Sequence, residues 1–247
     1  MVLKAMFKTV ITILWKVFYA LFMFVTFLLL PLVLILKPFL SAASYRYIAF
    51  LVGSTWAKIT IRSTGTKVHM EDLDLIPEDS RLCFIGNHQS LFDIPAFMGY
   101  IGRPVGFVAK QELFRVPILS QWMRQVPCVF IDRENARQAM KTFRSSAELI
   151  RQGHPLVIFP EGGRSEPNIL RKFHLGSLKL AKMADATIVP FAIKDSWRIL
   201  EIDGNIHAAK VRIRILAPIA PDDPKYEDNY QLAEHLQNTI EKNMKAE

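Results

Sequence analysis

Cysteine is scarce in this sequence, with two residues in a chain of 247. Cys83 and Cys128 both lie in short apolar runs typical of buried strands, so we expect reduced thiols in a cytoplasmic setting and no disulfide framework. No CxxC pair and no His/Cys cluster has the spacing of zinc ligands. We therefore expect neither a bound metal nor a cofactor.

Acidic residues are also under-represented, with 23 Asp and Glu against 31 Lys and Arg, which gives a net charge of +8. A basic chain favours anionic partners such as phosphates, lipid head groups, an acidic carrier protein or nucleic acid. Because the same chain carries a long apolar segment, we expect membrane lipids as partners and no nucleic acid.

That apolar segment runs from Val17 to Leu36 without a charged residue. About 20 helical residues match a hydrocarbon core of about 30 Å. A cleaved signal peptide is the alternative, but the run exceeds the usual apolar core and no small-residue cleavage site follows directly, so we expect the segment in the mature protein.

A second apolar stretch, Pro38–Ile61, is interrupted by Arg46 and Lys58. Two interpretations remain open: one helix that spans the bilayer, or a two-helix hairpin embedded in one leaflet with both ends on the cytoplasmic side. Basic residues on both flanks favour the hairpin. We predict membrane-anchoring helices over residues 1–62 and a globular domain over 63–247, at the cell membrane with the domain on the cytoplasmic side.

Strand-like and helix-like patterns alternate through the globular part. This alternation predicts an α/β fold, with a mostly parallel sheet flanked by helices. The predicted strands are Cys83–Ile85, Val105–Ala109, Cys128–Ile131, Leu156–Phe159, Ile188–Ile193 and Val211–Leu216. The predicted helices begin at Ile94, lie near Phe114–Met123, and cover Glu134–Gln152, Phe173–Ala184 and Asn229–Met244.

His88 stands where the first of these strands turns into a helix, five residues before Asp93. The carboxyl ends of strands in α/β sheets are where ligands bind. If the turn folds Asp93 back onto His88, the carboxylate holds one ring nitrogen and leaves the other free as a base. The alternative is structural: Asp93 before Ile94 and Pro95 also fits a helix N-terminus.

Basic and glycine residues follow three later strands. Arg133 ends one strand and is placed for a bidentate phosphate contact, and Lys110 ends another at the same predicted sheet edge. After the strand at Leu156, the turn Glu161–Ser165 contains two glycines that let backbone N–H groups approach an anion. The turn lacks the Lys-Ser/Thr of a P-loop, so we interpret it as a monophosphate or glycerol site and not as an ATP site.

Taken together, four blocks in this order resemble those of the glycerolipid acyltransferases, and most closely the bacterial 1-acyl-sn-glycerol-3-phosphate acyltransferases. The blocks are NHQSLFD from Asn87, FIDR from Phe130, FPEGGRS from Phe159 and IVP from Ile188. Two positions depart from the family pattern: Pro127 stands where Gly is common, and Gly163 replaces the usual Thr.

The resemblance implies an α/β acyltransferase domain in which His88 is the general base and Asp93 orients it. It assigns Arg133, together with Glu161, Gly162 and Arg164, to the glycerol phosphate. The position of Lys110 at the same sheet edge predicts one more cation there.

It further implies acyl transfer from acyl-ACP or acyl-CoA to the sn-2 hydroxyl of lysophosphatidic acid, giving phosphatidic acid. Other glycerophosphate or lysophospholipid acceptors remain alternatives, as does a non-enzymatic module that binds anionic lipid.

Overall fold

The computed structural model describes residues 2–132 and 135–245. Its seven strands form one sheet in the order β1-β7-β6-β2-β5-β3-β4. All neighbouring strands run parallel except β6 and β7, which are antiparallel. The predicted mostly parallel sheet is therefore confirmed. The strands are β1 Lys67–Glu71, β2 Leu82–Gly86, β3 Gly106–Lys110, β4 Val129–Ile131, β5 Leu156–Ile158, β6 Thr187–Lys194 and β7 Lys210–Ile215.

Central and outer strands differ in sequence because they differ in burial. Every residue of β2 and β5 is buried, and both strands are almost entirely apolar, as expected when helices cover both faces of a sheet. In β7, near one edge, Lys210 to Ile215 alternate between exposed or partly exposed cations and buried aliphatic residues. The alternation shows that only one face of this strand contributes to the core.

Seven α-helices accompany the sheet in the described part of the chain. They are α1 Val2–Leu36, α2 Ala42–Ser63, α3 Asp93–Tyr100, α4 Leu119–Met123, α5 Ala136–Arg151, α6 Leu175–Ala184 and α7 Asn229–Lys245. Helices α5, α6 and α7 contribute buried side chains to the core on one face of the sheet, whereas α2 and α3 contribute to the core on the other.

The helix predicted near Phe114–Met123 is interrupted. A 3-10 turn covers Gln111–Arg115, and α4 starts only at Leu119. Pro117 explains the interruption, because proline pushes the preceding residue out of the α region, and Val116 has ψ 113°. Ile118 then adopts φ 63°, which no α-helix contains.

The two N-terminal helices pack against each other and against the domain. The indole of Trp15 donates to Ser63 Oγ at 2.9 Å, and the indole of Trp56 donates to Met23 Sδ at 3.2 Å. Ile61 of α2 is fully buried in the core next to the sheet. Within the described residues, one helix, spanning Met6–Phe39 with its following 3-10 turn, is long and apolar enough to cross a membrane.

The connections between strands place a crevice at the carboxyl ends of β2 and β5, which are neighbours. The chain leaves β2 toward β3 on one side and leaves β5 toward β6 on the other. Such a reversal is where open α/β sheets bind ligands.

Candidate active site

The imidazole of His88 lies just beyond β2 and is held by Asp93. The His88 Nδ1 to Asp93 Oδ2 distance is 2.7 Å. The His88 side chain is 17% exposed and the Asp93 side chain is fully buried. No hydrogen-bond partner for the other ring nitrogen, Nε2, is found within residues 2–132 and 135–245. The predicted pairing is thus the geometry observed, with one nitrogen held and the other available at the protein surface.

Asp93 also organises the loop between β2 and α3. Its Oδ2 accepts the backbone N–H groups of Gln89 at 2.7 Å and Ser90 at 2.8 Å. Asp93 is the first residue of α3, as the structural alternative expected. The same side chain therefore stands at a helix N-terminus and contacts the imidazole. One carboxylate oxygen therefore fixes both the loop and the imidazole.

An aromatic stack supports the other side of the imidazole. The rings of His88 and Phe159 lie 4.4 Å apart at 19°. Phe159 meets Phe191 edge-on at 6.0 Å, and Phe191 contacts Phe97 at 4.4 Å. A side chain at Gly86 would place its Cβ only 2.3 Å from the Phe191 ring, so any larger residue at the end of β2 would displace that ring. The imidazole plane is thereby fixed by packing as well as by a hydrogen bond.

Glu161 joins the loop after β5 to the loop after β2. Its Oε1 accepts the His88 backbone N–H at 2.7 Å, and its Oε2 accepts the Arg171 backbone N–H at 2.8 Å. Glu161 is 3% exposed. Burial raises its pKa above the ordinary value for glutamate, although these two hydrogen bonds and one from Ser165 favour the charged form. Its carboxylate thus contacts the protein backbone on both sides.

The turn that follows Glu161 returns to the same loop. Gly162 has φ +72°, which L side chains rarely adopt. Ser165 then donates from its backbone N–H at 2.8 Å and from its hydroxyl at 3.0 Å to the carbonyl oxygen of His88. Both backbone polar groups of His88 are therefore held by residues of the glycine turn.

Arg164 lies beside the crevice and pairs there with Glu201, an acidic residue that the sequence did not indicate. Its guanidinium lies 3.2 Å from Glu201, and it remains 44% exposed. Glu201 also accepts the Ser90 hydroxyl at 2.8 Å and the Leu91 backbone N–H at 3.1 Å. Arg164 is thus beside the loop that carries the imidazole.

The other two cations predicted at the site are Lys110 and Arg133. Lys110 ends β3 at the same edge of the sheet, but it is 56% exposed and pairs with Glu112 at 2.8 Å. Arg133, assigned to the phosphate by resemblance, lies outside the described residues. The predicted phosphate roles of Lys110, Arg133, Glu161, Gly162 and Arg164 stay predictions.

A cavity of about 400 Å³ begins beside the His88 loop. Leu91 and Phe92 of that loop line it, together with side chains from α1, α2, α3 and the segment around α4. Its walls are almost entirely apolar and include Trp15, Tyr19, Met23, Trp56, Met98, Phe107, Trp122 and Met123. The space suits a hydrocarbon chain. Within the described residues, no group of three or more His, Cys, Asp or Glu side chains could hold a metal ion.

Glu201 and Arg171 are the site residues that sequence reasoning missed. Glu201 lies 111 positions from Ser90 in a segment without a recognisable motif. Arg171 contributes a backbone N–H, which no residue type reveals. The only available signal was that Arg171 follows shortly after the glycine turn.

Comparison with known proteins identifies the class of protein to which this fold belongs. The family model described as Acyltransferase matches residues 67–194, about half of the chain, which therefore belongs to this family.

Among its relatives, a probable 1-acyl-sn-glycerol-3-phosphate acyltransferase of Mycoplasma pneumoniae is 31% identical over 189 residues, covering 71% of this chain and 70% of the relative. The chloroplastic 1-acyl-sn-glycerol-3-phosphate acyltransferase of Arabidopsis thaliana is 27% identical over 192 residues, 76% of this chain and 52% of that protein.

The chain thus spans only about half the length of several curated relatives that it matches. The crystal structure of the 1-acyl-sn-glycerophosphate (LPA) acyltransferase of Thermotoga maritima has the same fold, with a TM-score of 0.80, 22% identity and 96% of both chains covered.

Proposed function

We propose that this protein transfers a fatty acyl group from acyl-ACP or acyl-CoA to the sn-2 hydroxyl of 1-acyl-sn-glycerol-3-phosphate, giving phosphatidic acid. The observation that carries the proposal is the imidazole of His88, held at 2.7 Å by a buried Asp93 with its other nitrogen unoccupied. The activity named for the relatives in Mycoplasma pneumoniae and Arabidopsis thaliana supports the same reaction.

In the proposed mechanism His88 acts as general base. Its Nε2 takes the proton of the acceptor hydroxyl while the hydroxyl oxygen attacks the thioester carbonyl carbon, and a backbone N–H stabilises the oxyanion. Collapse of the tetrahedral intermediate breaks the C–S bond, and the imidazolium returns its proton to the thiolate. Asp93 favours the imidazolium and keeps the ring in the productive tautomer.

Transfer is direct, without an acyl-enzyme. The two nearby hydroxyl groups are both engaged elsewhere: Ser90 is buried and donates to Glu201 at 2.8 Å, and Ser165 donates to the His88 carbonyl oxygen at 3.0 Å. A nucleophilic serine would have to contact the base instead.

The phosphate of the acceptor binds on the cationic side of the crevice. Arg164 is exposed, and an exposed ion pair such as that with Glu201 contributes little, so the guanidinium can exchange it for a phosphate. Lys110 adds a second cation, and the resemblance assigns Arg133 to the same phosphate. Gly162 contributes through its φ of +72°, which turns the chain toward Arg164, since its own N–H donates to the Phe159 carbonyl oxygen at 3.2 Å. Glu161 contributes by holding the His88 and Arg171 backbones.

The acyl chain occupies the apolar cavity beside Leu91 and Phe92, and the N-terminal helices bring the lipid to it. Helix α1 exposes large apolar side chains such as Phe7, Leu14 and Leu28 along its length. We propose that α1 and α2 form a membrane-embedded hairpin at the cell membrane, with the domain on the cytoplasmic side. The balanced basic flanks and the contacts between the two helices support this arrangement.

Substitution of the base tests the proposal. With lysophosphatidic acid and an acyl thioester, His88→Ala should lower kcat by about 100-fold or more in a thiol-release assay. His69→Ala is the matched control because His69 is a 77%-exposed side chain on β1, and its activity should equal wild type. Undiminished thiol release by His88→Ala at wild-type thermal stability would contradict the base assignment.

A panel of donors and acceptors separates the alternatives. Acyl-ACP and acyl-CoA are offered with lysophosphatidic acid, glycerol-3-phosphate and neutral-head-group lysophospholipids in turn. Preference for lysophosphatidic acid supports the proposal, whereas preference for another acceptor reassigns the substrate. Lipid binding that disappears with salt and consumes no thioester would indicate the non-enzymatic module.

A further inference from the structure

A second, smaller pocket of about 220 Å³ lies at the opposite end of the sheet from His88. It is lined by residues that precede β2, β3, β4 and β5, and by the first turns of α2. The lining residues are Ala43, Arg46, Tyr47, Ser80, Arg103, Pro104, Pro127, Gly153, His154 and Pro155. Because seven of the lining residues lie at the amino ends of strands and the other three on α2, the pocket is separate from the crevice at the carboxyl ends of the strands.

Two guanidinium groups face this pocket without an acidic partner. No ion pair with a carboxylate involves Arg46 or Arg103 within the part of the chain that the structure describes, and no Asp or Glu lines the pocket. The nearby Asp79 pairs with Arg81, and Glu148 pairs with Arg151. Partly buried positive charge without compensation is unfavourable unless an anion binds.

The arginines are held in place by neutral groups. Arg103 donates to the carbonyl oxygens of Pro77 at 3.1 Å and Asp79 at 3.4 Å. Arg46 Nη1 lies 3.0 Å from Nδ1 of His154 and 3.2 Å from Nε2. A guanidinium can only donate, so the His154 ring accepts and is neutral. Burial, and secondarily Arg46, lowers the pKa of His154, which agrees with this state.

We propose that this pocket is a second binding site, specific for a phosphate-type oxyanion and separate from the catalytic crevice. Arg46 and Arg103 are the charged donors, and the Ser80 hydroxyl and the His154 ring are neutral neighbours. Guanidinium groups match phosphate oxygens in geometry as well as in charge. The pocket volume is below that of sites for drug-sized ligands and suits a single head group.

The oxyanion comes either from solution or from a lipid head group. Tyr47 lines the pocket and is 55% exposed, and an aromatic ring with one polar end is typical of a membrane interface. Tyr47 belongs to α2, which packs against the apolar α1. These observations favour a head group, and the experiment separates the two sources.

Occupancy of the pocket is measured by the histidine NMR signals of the full chain. The chain is reconstituted in neutral phosphatidylcholine nanodiscs. The chain has six histidines, and His154→Gln assigns the relevant signal in a heteronuclear NMR spectrum of labelled histidine. Inorganic phosphate is titrated first, and nanodiscs that contain phosphatidylglycerol are compared second. A saturable shift of His154 with phosphate identifies the free ion as sufficient; a shift only with phosphatidylglycerol identifies the head group. Either result supports the site.

Matched variants test specificity. Arg46→Gln should weaken the binding about tenfold, and Arg46→Lys less, because lysine keeps the charge and loses the planar fork. The control is the double variant Lys67→Gln with Lys210→Gln. It removes two exposed positive charges from neighbouring positions of β1 and β7, at the far edge of the sheet. Thermal denaturation verifies that each variant is folded. Arg103→Gln removes the other charged donor and should weaken the binding as well.

Three results would overturn the proposal. The first is a His154 signal that moves with neither phosphate nor phosphatidylglycerol. The second is a phosphate response of His88 alone, which would place the anion only in the catalytic crevice. The third is equal weakening by Arg46→Gln and by the Lys67/Lys210 control, which would reduce the effect to overall charge.

Discussion

Replacing Glu161 by glutamine distinguishes a residue that holds the active-site loop from one that binds substrate. Both carboxylate oxygens accept a backbone N–H, from His88 and from Arg171. Glutamine has one acceptor oxygen and one amide NH₂, so in either orientation its NH₂ faces a backbone donor. One charge-assisted hydrogen bond is lost and one buried N–H is left without an acceptor.

The magnitude follows from these groups. A hydrogen bond to a charged group contributes about 1.5–3 kcal/mol, and an unsatisfied buried donor costs about 1–3 kcal/mol. Burying the carboxylate is itself unfavourable, which offsets part of the loss, so we expect a net destabilisation of about 2 kcal/mol. For a domain of this size that lowers Tm by roughly 4–8 °C. Because the His88 backbone moves, kcat should fall at least about tenfold while KM for lysophosphatidic acid changes little.

Thermal denaturation and thiol-release kinetics on the same preparations measure both effects. The control is Glu166→Gln, an exposed glutamate five residues further on, which should change neither quantity. A raised KM with unchanged kcat and Tm in Glu161→Gln would refute the reasoning, because it would mean that the carboxylate contacts the acceptor and not the loop.

Wild type and Glu161→Gln should also differ in how their stability depends on pH. Burial raises the pKa of Glu161 in the folded state above its unfolded value. The stability that this titration contributes is therefore fully present below the unfolded pKa of 4.5, and is lost as pH rises through the folded pKa. The difference in unfolding free energy between wild type and Glu161→Gln should be larger at about pH 4 than at pH 7, and a difference that grows with pH would contradict this sign.

Three further substitutions follow from the site. Asp93→Asn should lower kcat about 100-fold or more, because the amide no longer holds the required imidazole tautomer; thiol-release kinetics measure it, and an unchanged rate would exclude the orienting role. Glu201→Gln should leave kcat within a few fold and alter KM for the acceptor, since it frees the neighbouring guanidinium; identical KM values would separate Glu201 from acceptor binding. Gly86→Ala should cost about 1–3 kcal/mol of stability, because its Cβ would meet the Phe191 ring at 2.3 Å; a wild-type Tm would show that the ring moves freely.

Much of the fold could be predicted because the pattern of a covered parallel sheet is local. Apolar runs such as Leu82–Gly86 and Leu156–Ile158 mark buried strands by composition alone. The order of the strands could not be read, because pairing between β2 and β5 depends on the whole sheet. The helix predicted near Phe114–Met123 is interrupted, because the residues around Pro117 leave the α region, which the apolar pattern alone does not reveal.

The candidate site, like the fold, could be predicted from the sequence only in part. His88 and Asp93 are five residues apart, so a turn alone can bring them together, and the sequence indicated the pair. Glu161 was indicated by resemblance, but the two backbone N–H groups that it accepts are visible only in the structure. Glu201 required a contact across 111 positions. Residue type and spacing do not encode such a contact.

Helix α1 has a consequence for how the protein can be handled. Trp15, Tyr19 and Met23 form part of the wall of the apolar cavity, and Thr12 Oγ1 accepts the backbone N–H of Ile206 at 3.0 Å. A truncated chain that begins after α1, prepared to avoid detergent, would open the cavity to water and leave that N–H without its acceptor. We therefore expect such a fragment to be a poor surrogate for the whole chain in inhibitor screening or crystallisation.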